Sequence, residues 1–507
     1  MSLLGIDVGT TGCKAAAFRD DGTLLASAYA EYYWQTPQPG WAVLDPREVW
    51  EQVRRTIRDV AARCDADPIK ALAVSSLGEA TVPVSADRRI IGPSILNFDV
   101  RGEEYTARIG DVLGPEPLYR ITGHALGGHF GLFKLLWLQE HEPRLYEQTA
   151  RFLPWSSFVA FMLGAEPVVD YSLAARMLCF DVDRRQWSPE ILRLTGCDAT
   201  KLPRTVPAGD VIGSVSDAVA AELGLGSNVA IVSGCHDQCA TAVGCGAIGD
   251  GPAAFGMGTY LCITPTFGAR RPADKMLRWG LNTEHHAVPG QFVCFIYNQG
   301  GGLLRWYRDT FAGAEHEQAK RAGRDLYADL IAEIPADPSR VMVLPHFITT
   351  GPPEFITDSA GVLAGLRLET KRGEILKGVL EATIFALREC VDGLPETGIA
   401  VTEFRAAGGG SRSDAWLQIC ADILGRPVTR VKLSEAGLLG AAIIAGVGCG
   451  AFASYADSVR TMVRLARVFE PDARRVRLYQ ERYARYRRLY SLLREYLREL
   501  AKTQPAP

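Results

Sequence analysis

A chain of 507 residues is too long for one ordinary hydrophobic core, so two large domains are expected. An apolar fraction of 47% beside 22% charged residues is that of a soluble globular protein, and a formal net charge of -3 gives no general reason to expect nucleic acid or a membrane surface as a partner. The chain runs from Met1 straight into Leu3-Leu4-Gly5-Ile6-Asp7 with no basic stretch or small-residue cleavage site, so no signal peptide is expected. Cys235, Cys239 and Cys245 are the tightest group among twelve cysteines. Cys235 and Cys239 are C-x3-C with no second pair in view, which reads as small buried thiols in a reducing cytoplasm rather than a zinc site.

In chain order, Leu3 to Val8 is an apolar strand ending near Asp7, Gly9-Thr10-Thr11-Gly12 is turn chemistry, and Cys13 to Phe18 is apolar again around Lys14. Asp20-Asp21-Gly22 is a second turn, and Thr23 to Tyr29 a third strand. Helical spacing follows from Pro46 through Val49, Val53, Ile57 and Val60, and Lys70 to Ser75 is another short strand. This mixture predicts an α/β fold. The pattern recurs mid-chain. Val229 to Ser233 is an apolar strand leading to Gly234-Cys235-His236-Asp237-Gln238. Beyond Gly251-Pro252, the run Phe255-Gly256-Met257-Gly258-Thr259-Tyr260 is again strand, Gly-Thr turn, strand. A duplicated architecture with its cleft between the halves is expected, divided as residues 1–247 and 248–507. The apolar run Ala436 to Ala453 contains five glycines and reads as a buried helix and turn, not a membrane span. The Arg- and Tyr-rich stretch Asp472 to Leu500 reads as a terminal helix packing one face on the core.

Phosphate groups need inward-turned backbone N–H groups, hydroxyl donors and a cation. Gly9 and Gly12 permit close approach, Thr10 and Thr11 supply hydroxyls, Lys14 supplies charge, and Asp7 at the strand end can hold a magnesium ion directly or through water. Asp237 follows an apolar strand, a suitable place for a carboxylate that accepts an alcohol proton during phosphoryl transfer. His236 competes for that role but reads better as a structural or substrate-contacting neighbour. The glycines of Gly300-Gly301-Gly302 and Gly408-Gly409-Gly410, each opening a helix, offer backbone that a nucleotide can approach.

Taken together these segments resemble the FGGY carbohydrate kinases of the actin-like ATPase superfamily, across nearly the whole chain and in the right order. The resemblance also rests on Lys134-Leu135-Leu136-Trp137-Leu138, Asp170-Tyr171-Ser172 and Glu435-Ala436-Gly437-Leu438-Leu439-Gly440-Ala441-Ala442. It implies two ribonuclease H-like domains flanking a catalytic cleft, ATP and Mg2+ as cofactors, a cytoplasmic location and a homodimer. By position it makes Asp237 the catalytic base and Asp7 the acidic residue near the metal. Thr10, Thr11, Lys14, Gly258 and Thr259 become phosphate contacts. Gly301, Arg305, Gly408, Gly409 and Ser413 line the adenine nucleotide, with Arg305 and Ser413 matching in position only.

On the sugar side, Ser75-Ser76-Leu77-Gly78-Glu79-Ala80 stands where glycerol kinases resemble Asn-Gln-Arg-Glu and xylulose kinases Gln-Met-His-Gly. Glu79 is kept; the Arg and the His are both replaced by Gly78, which leaves room for a differently placed substrate. Asp99 and Arg101 match the family's Trp-x-Asp-x-Arg, with Asn97 in place of Trp. Glu79, Asp99 and Asp237 could form an acidic sugar cradle, since carboxylates accept several O–H bonds, with Gly78, Arg101 and Gln238 as further substrate contacts; the alternative for Glu79 and Asp99 is a loop salt bridge, with Arg101 as a partner. The substrate expected is a ketopentose such as xylulose or a four- to six-carbon polyol. The rival readings are an actin- or chaperone-like ATPase and a catalytically silent sugar-binding protein.

Overall fold

The structure, a computed structural model, describes residues 2–502. Ser2–Val8 forms the middle of a six-stranded sheet. It pairs antiparallel with Gly12–Arg19 and parallel with Ile69–Ser76, which in turn runs parallel to Ala230–His236. Its residues are buried on both faces, which is why the sequence shows a continuous apolar run there and no alternation. The second, eight-stranded sheet repeats the plan. Gly251–Met257 pairs antiparallel with Tyr260–Phe267 and parallel with Val401–Ala407, beside which Val428–Val431 continues in parallel. A hairpin feeding parallel strands is thus built twice, as the two strand–Gly-Thr–strand segments predict.

Helices cover the sheets where the sequence has helical spacing. Pro46–Ala61 opens on Asp45, whose carboxylate accepts from the Arg47 N–H at 2.9 Å, with Pro46 at the first helical position. Its buried stripe of Val49, Val53, Ile57 and Val60 packs on Gly12–Arg19 and Leu24–Glu31. The terminal helix, Ala473–Lys502, buries Tyr479, Tyr483, Tyr486 and Leu497 against the second half, where the Tyr479 hydroxyl donates to Glu381 at 3.0 Å.

Two features join the halves. The apolar run at Ala436 is the helix Ala436–Gly448, which packs on Asp237–Gly244 and on the central strands of the first sheet. Contact is backbone to backbone: a Cβ on Gly440 would lie 1.8 Å from the Ala240 carbonyl oxygen, and one on Gly244 would lie 1.8 Å from that of Ala436. Glycine at these positions brings the helices together without a side chain between them. The second feature is a strap, residues 281–295, which leaves the second half and lies on the first. Thr283 N–H donates to the Gly123 carbonyl at 2.6 Å, the Tyr119 hydroxyl to that of Leu281 at 2.9 Å, and the His285 ring nitrogen Nε2 lies 2.7 Å from the Val182 carbonyl. Among the described residues no helix is long and apolar enough to cross a membrane.

Candidate active site

Asp7 ends the central strand opposite Lys14, and the intervening turn closes through the Gly9 N–H on the Gly12 carbonyl at 2.9 Å. Tyr32 steadies this turn by donating its hydroxyl to the Gly9 carbonyl at 2.6 Å. The Asp7 carboxylate accepts from the Ser75 hydroxyl at 2.8 Å. Burial, with the Asp237 carboxylate adding to it, pushes its pKa up to about 6 despite Ser75 and Lys14. Lys14 reaches across to Glu435 of the other half at 2.5 Å, in a half-exposed ion pair. Thr10 and Thr11 lie on the open side of the turn, Thr11 exposed.

Asp237 is the first residue of the helix Asp237–Gly244, immediately after the strand Ala230–His236. Its Oδ1 is buried and has no hydrogen-bond partner. Burial raises its pKa; His236 and Gln238 oppose that, and Glu79 adds to it. The His236 ring bridges two carboxylates, with Nε2 at 3.3 Å from Asp237 Oδ1 and Nδ1 at 3.0 Å from Glu284 Oε1. Burial alone would lower the His236 pKa, but Glu284 and Asp237 outweigh it and lift it to about 8. At neutral pH the ring is therefore a cation, not an acceptor. Asp170 fixes this strand end from behind: it caps the helix Tyr171–Ala175 and holds the Ser172 hydroxyl, which accepts from the His236 N–H at 2.9 Å.

Glu79 is buried, at φ 61°, and its carboxylate pairs with the Arg176 guanidinium. Burial would raise its pKa, but the Arg176 guanidinium prevails and holds it below the usual range. Gly78 packs directly beneath Arg176 and His236. Asp99 and Arg101 meet each other in a buried bidentate pair, at 2.9 and 2.6 Å, and the remaining capacity of Asp99 goes to the N–H groups of Ala42 and Arg101. Trp41 and Trp137 flank the guanidinium at 4.0 and 5.0 Å. Lys134, from the Lys-Leu-x-Trp-Leu helix, donates to the carbonyls of Asp99 and Arg101 at 2.7 Å each. This is the loop salt bridge, and it makes a rigid wall.

In the second half, Gly258 and Thr259 form the turn between Gly251–Met257 and Tyr260–Phe267, with exposed side faces. Their carbonyls cap the helix Gly301–Phe311: Gly301 N–H donates to Gly258, and Gly300 and Gly302 to Thr259, all at 3.0 Å. A Cβ on Gly301 would strike the Gly258 oxygen at 2.5 Å, so only glycine permits the turn and the helix start to dock. Arg305 is exposed one turn along that helix. Gly408, at φ 94°, lies over Met257, while a Cβ on Gly409 would meet nothing within 4 Å, an open backbone face. Ser413 caps the next helix by accepting from the Trp416 N–H at 3.2 Å.

Sequence reasoning missed Arg176 and Glu284. Arg176 follows the Asp170-Tyr171-Ser172 segment already singled out, and Glu284 opens the Glu284-His285-His286 cluster on the strap; an acid beside two histidines was the available signal. His236, Cys239 and Glu284 bring ligand-type atoms within 4.8 Å of one another, but Arg176 Nη1, 3.6 Å from Glu284 Oε2, already supplies positive charge there, and burial pushes the Cys239 thiol up.

Comparison with known proteins identifies the family. The models of the FGGY family of carbohydrate kinases match its N-terminal domain over residues 2–244 and its C-terminal domain over residues 269–449. The chain is 30% identical over 475 residues to a glycerol kinase of Symbiobacterium thermophilum, covering 90% of this chain and 91% of that one. It is 27% identical over 474 residues to a gluconokinase of Bacillus subtilis, covering 91% and 90%. The crystal structure of a xylulose kinase from Rhodospirillum rubrum superimposes with a TM-score of 0.85 at 26% identity, over 98% of this chain and 100% of that chain. The chain therefore belongs to the FGGY family of carbohydrate kinases, with two actin-like ATPase-fold domains, and is a phosphotransferase that phosphorylates an alcohol group of a sugar or polyol.

Proposed function

We propose that the protein transfers the γ-phosphoryl group of magnesium–ATP to a hydroxyl of a ketopentose or a four- to six-carbon polyol, with Asp237 as the catalytic base. One observation carries this: Asp237 Oδ1 is buried and accepts no hydrogen bond, with only the His236 ring 3.3 Å away, just past the end of the strand next but one to the Asp7 strand. Buried carboxylate oxygens are rarely left so, and a substrate hydroxyl would satisfy it while presenting its oxygen to the phosphoryl group. His236, charged and held by Glu284, keeps the Asp237 side chain in place and favours its ionised form. Glu79 and Gln238 would accept and donate to the remaining hydroxyls, with Asp99 and Arg101 as the buttress behind them.

Residues 1–247 would carry the sugar and the first phosphate loop of Thr10, Thr11 and Lys14. Residues 248–507 would carry the nucleotide through Gly258, Thr259, Gly301, Arg305, Gly408, Gly409 and Ser413. Lys14 would exchange Glu435 for phosphate oxygens. The Asp7 carboxylate fits a magnesium ion: it is a hard oxygen donor whose charge is crowded by Asp237, a strain that a divalent cation relieves. Bound there, magnesium would neutralise charge on the transferring phosphoryl group.

The test is coupled ADP release with ketopentoses, aldoses, glycerol, erythritol and larger polyols, wild type beside Asp237→Asn. Turnover on one compound, cut at least about a hundredfold in the variant, is expected from the worth of a positioned base. Near-normal turnover in Asp237→Asn would remove the base assignment, and ADP release indifferent to every sugar would favour a hydrolytic ATPase.

A further inference from the structure

Glycine at position 78 is not required by the backbone. Its φ lies outside the left-handed region, so any residue could adopt it, and what it provides is room. A Cβ there would approach Arg176 Cγ and Nε at 3.1 Å each and His236 Nε2 at 3.3 Å. Arg176, which ends the helix Tyr171–Ala175, lies across that space. One terminal nitrogen pairs with Glu79, the other stands 3.6 Å from Glu284, and the rings of Phe130 and Phe295 flank the guanidinium at 5.4 and 6.0 Å. The remaining N–H, on Nε, is buried and has no partner. Asp237 Oδ1, Glu284 Oε2 and His124 Nε2 nearby likewise make no hydrogen bond, although His236 lies 3.3 Å from the first, and Arg176 and His124 lie 3.6 and 3.8 Å from the second. A free donor beside carboxylate oxygens that accept no hydrogen bond suits a ligand with several hydroxyls, each able both to accept and to donate.

Charge narrows the class. Three carboxylates (Glu79, Glu284, Asp237) face two cations (Arg176, His236), while His124 and His129 are kept neutral by burial. Arg176 is already shared between two carboxylates, so a carboxylate on the substrate would enter a buried site with an excess of negative charge. A hydroxyl or carbonyl oxygen meets no such penalty.

We propose that Arg176, seated over Gly78, is the specificity-determining residue of the sugar site: its free Nε–H donates to a substrate oxygen, and the site takes a neutral ketose or polyol in preference to an aldonate. The inference rests on the kinase reading above and says which substrates that kinase prefers.

The experiment measures sugar-stimulated ADP release by the full-length enzyme on xylulose, ribulose, erythritol, fructose, glucitol and gluconate, for wild type, Arg176→Lys and Gly78→Ala. The best neutral compound should exceed gluconate in kcat/KM by at least about a hundredfold, the scale of juxtaposed like charges. Arg176→Lys keeps the charge but loses Nε–H, and should raise the sugar KM about tenfold, as for one hydrogen bond, with the ATP KM unchanged. Gly78→Ala should move the sugar KM the same way by displacing the guanidinium, and it decides the matter if Arg176→Lys loses its ADP-dependent rise in melting temperature. Gluconate as the preferred substrate, or an unchanged sugar KM in both variants, overturns this inference alone. ADP release that no compound stimulates in wild type overturns the kinase reading and this inference together.

Discussion

Replacing Gly440 by alanine should cost both stability and turnover, because the added methyl group has nowhere to go. Its Cβ would sit 1.8 Å from the Ala240 carbonyl oxygen and 3.0 Å from the Gly244 nitrogen, both backbone atoms of the helix that begins with Asp237. Even the tightest tolerated approach requires the two helices to separate by roughly 1 Å, and overpacking of this kind costs about 1–3 kcal/mol. Alanine's better helix propensity returns at most about 1 kcal/mol. The same displacement would carry Asp237 about 1 Å from its place, and misplacements of that size cost on the order of a hundredfold in rate. Gly437→Ala is the control on the same helix: its Cβ would meet Thr241 Oγ1 at 3.4 Å, ordinary contact, so it should be neutral or slightly stabilising. The assay is thermal unfolding with steady-state kinetics on the preferred sugar. If Gly440→Ala and Gly437→Ala match in melting temperature and kcat, the helix crossing does not position Asp237 and the reasoning fails.

Two further predictions concern buried charge. Asp99→Asn strands the Arg101 guanidinium between Trp41 and Trp137, and urea unfolding should show a loss of roughly 3 kcal/mol, as for one partner removed from a buried pair; an unchanged midpoint would show that the pair does not brace the loop. His236 has a pKa lifted from 6.5 to about 8, so its stabilising contribution is full below pH 6.5 and is lost as pH rises through about 8. Between pH 6 and pH 9 wild type should therefore lose roughly 2 kcal/mol relative to His236→Gln, measured as the difference between their unfolding free energies. Parallel curves for the two proteins would refute the charged-ring description.

What could be read from the sequence was what lies close along the chain. The Asp7–Lys14 hairpin, its counterpart at Gly256 to Thr259, and Asp237 just past a strand end are local patterns of apolar runs and turn residues; the structure builds the first two as strands and turns and opens a helix at Asp237. Asp99 and Arg101 are two residues apart, so their pairing could be weighed as an alternative to a sugar contact. Glu79 was visible as an acid in the right segment, but its partner stands 97 residues away, and no local pattern points from Gly78 to Arg176. Glu284 was hidden for a related reason: it reaches His236 only because the strap crosses between the halves. Ser413 shows a different limit: its hydroxyl oxygen accepts from the Trp416 N–H as a helix cap, a role that the resemblance did not point to and that leaves its own O–H free.

The strap has a consequence for how the two halves can be taken apart. Along the chain, residues 281–295 come after the turn at Gly249, yet their carbonyls, amides and the Glu284 carboxylate complete the packing and the charge balance of the first half. A gene cut at residue 247 would deliver a first fragment with His236 buried beside an absent counter-ion, and a second fragment bearing an orphaned ribbon. The two halves are stitched through one another, and a cut between them at residue 247 would part residues that pack and pair together.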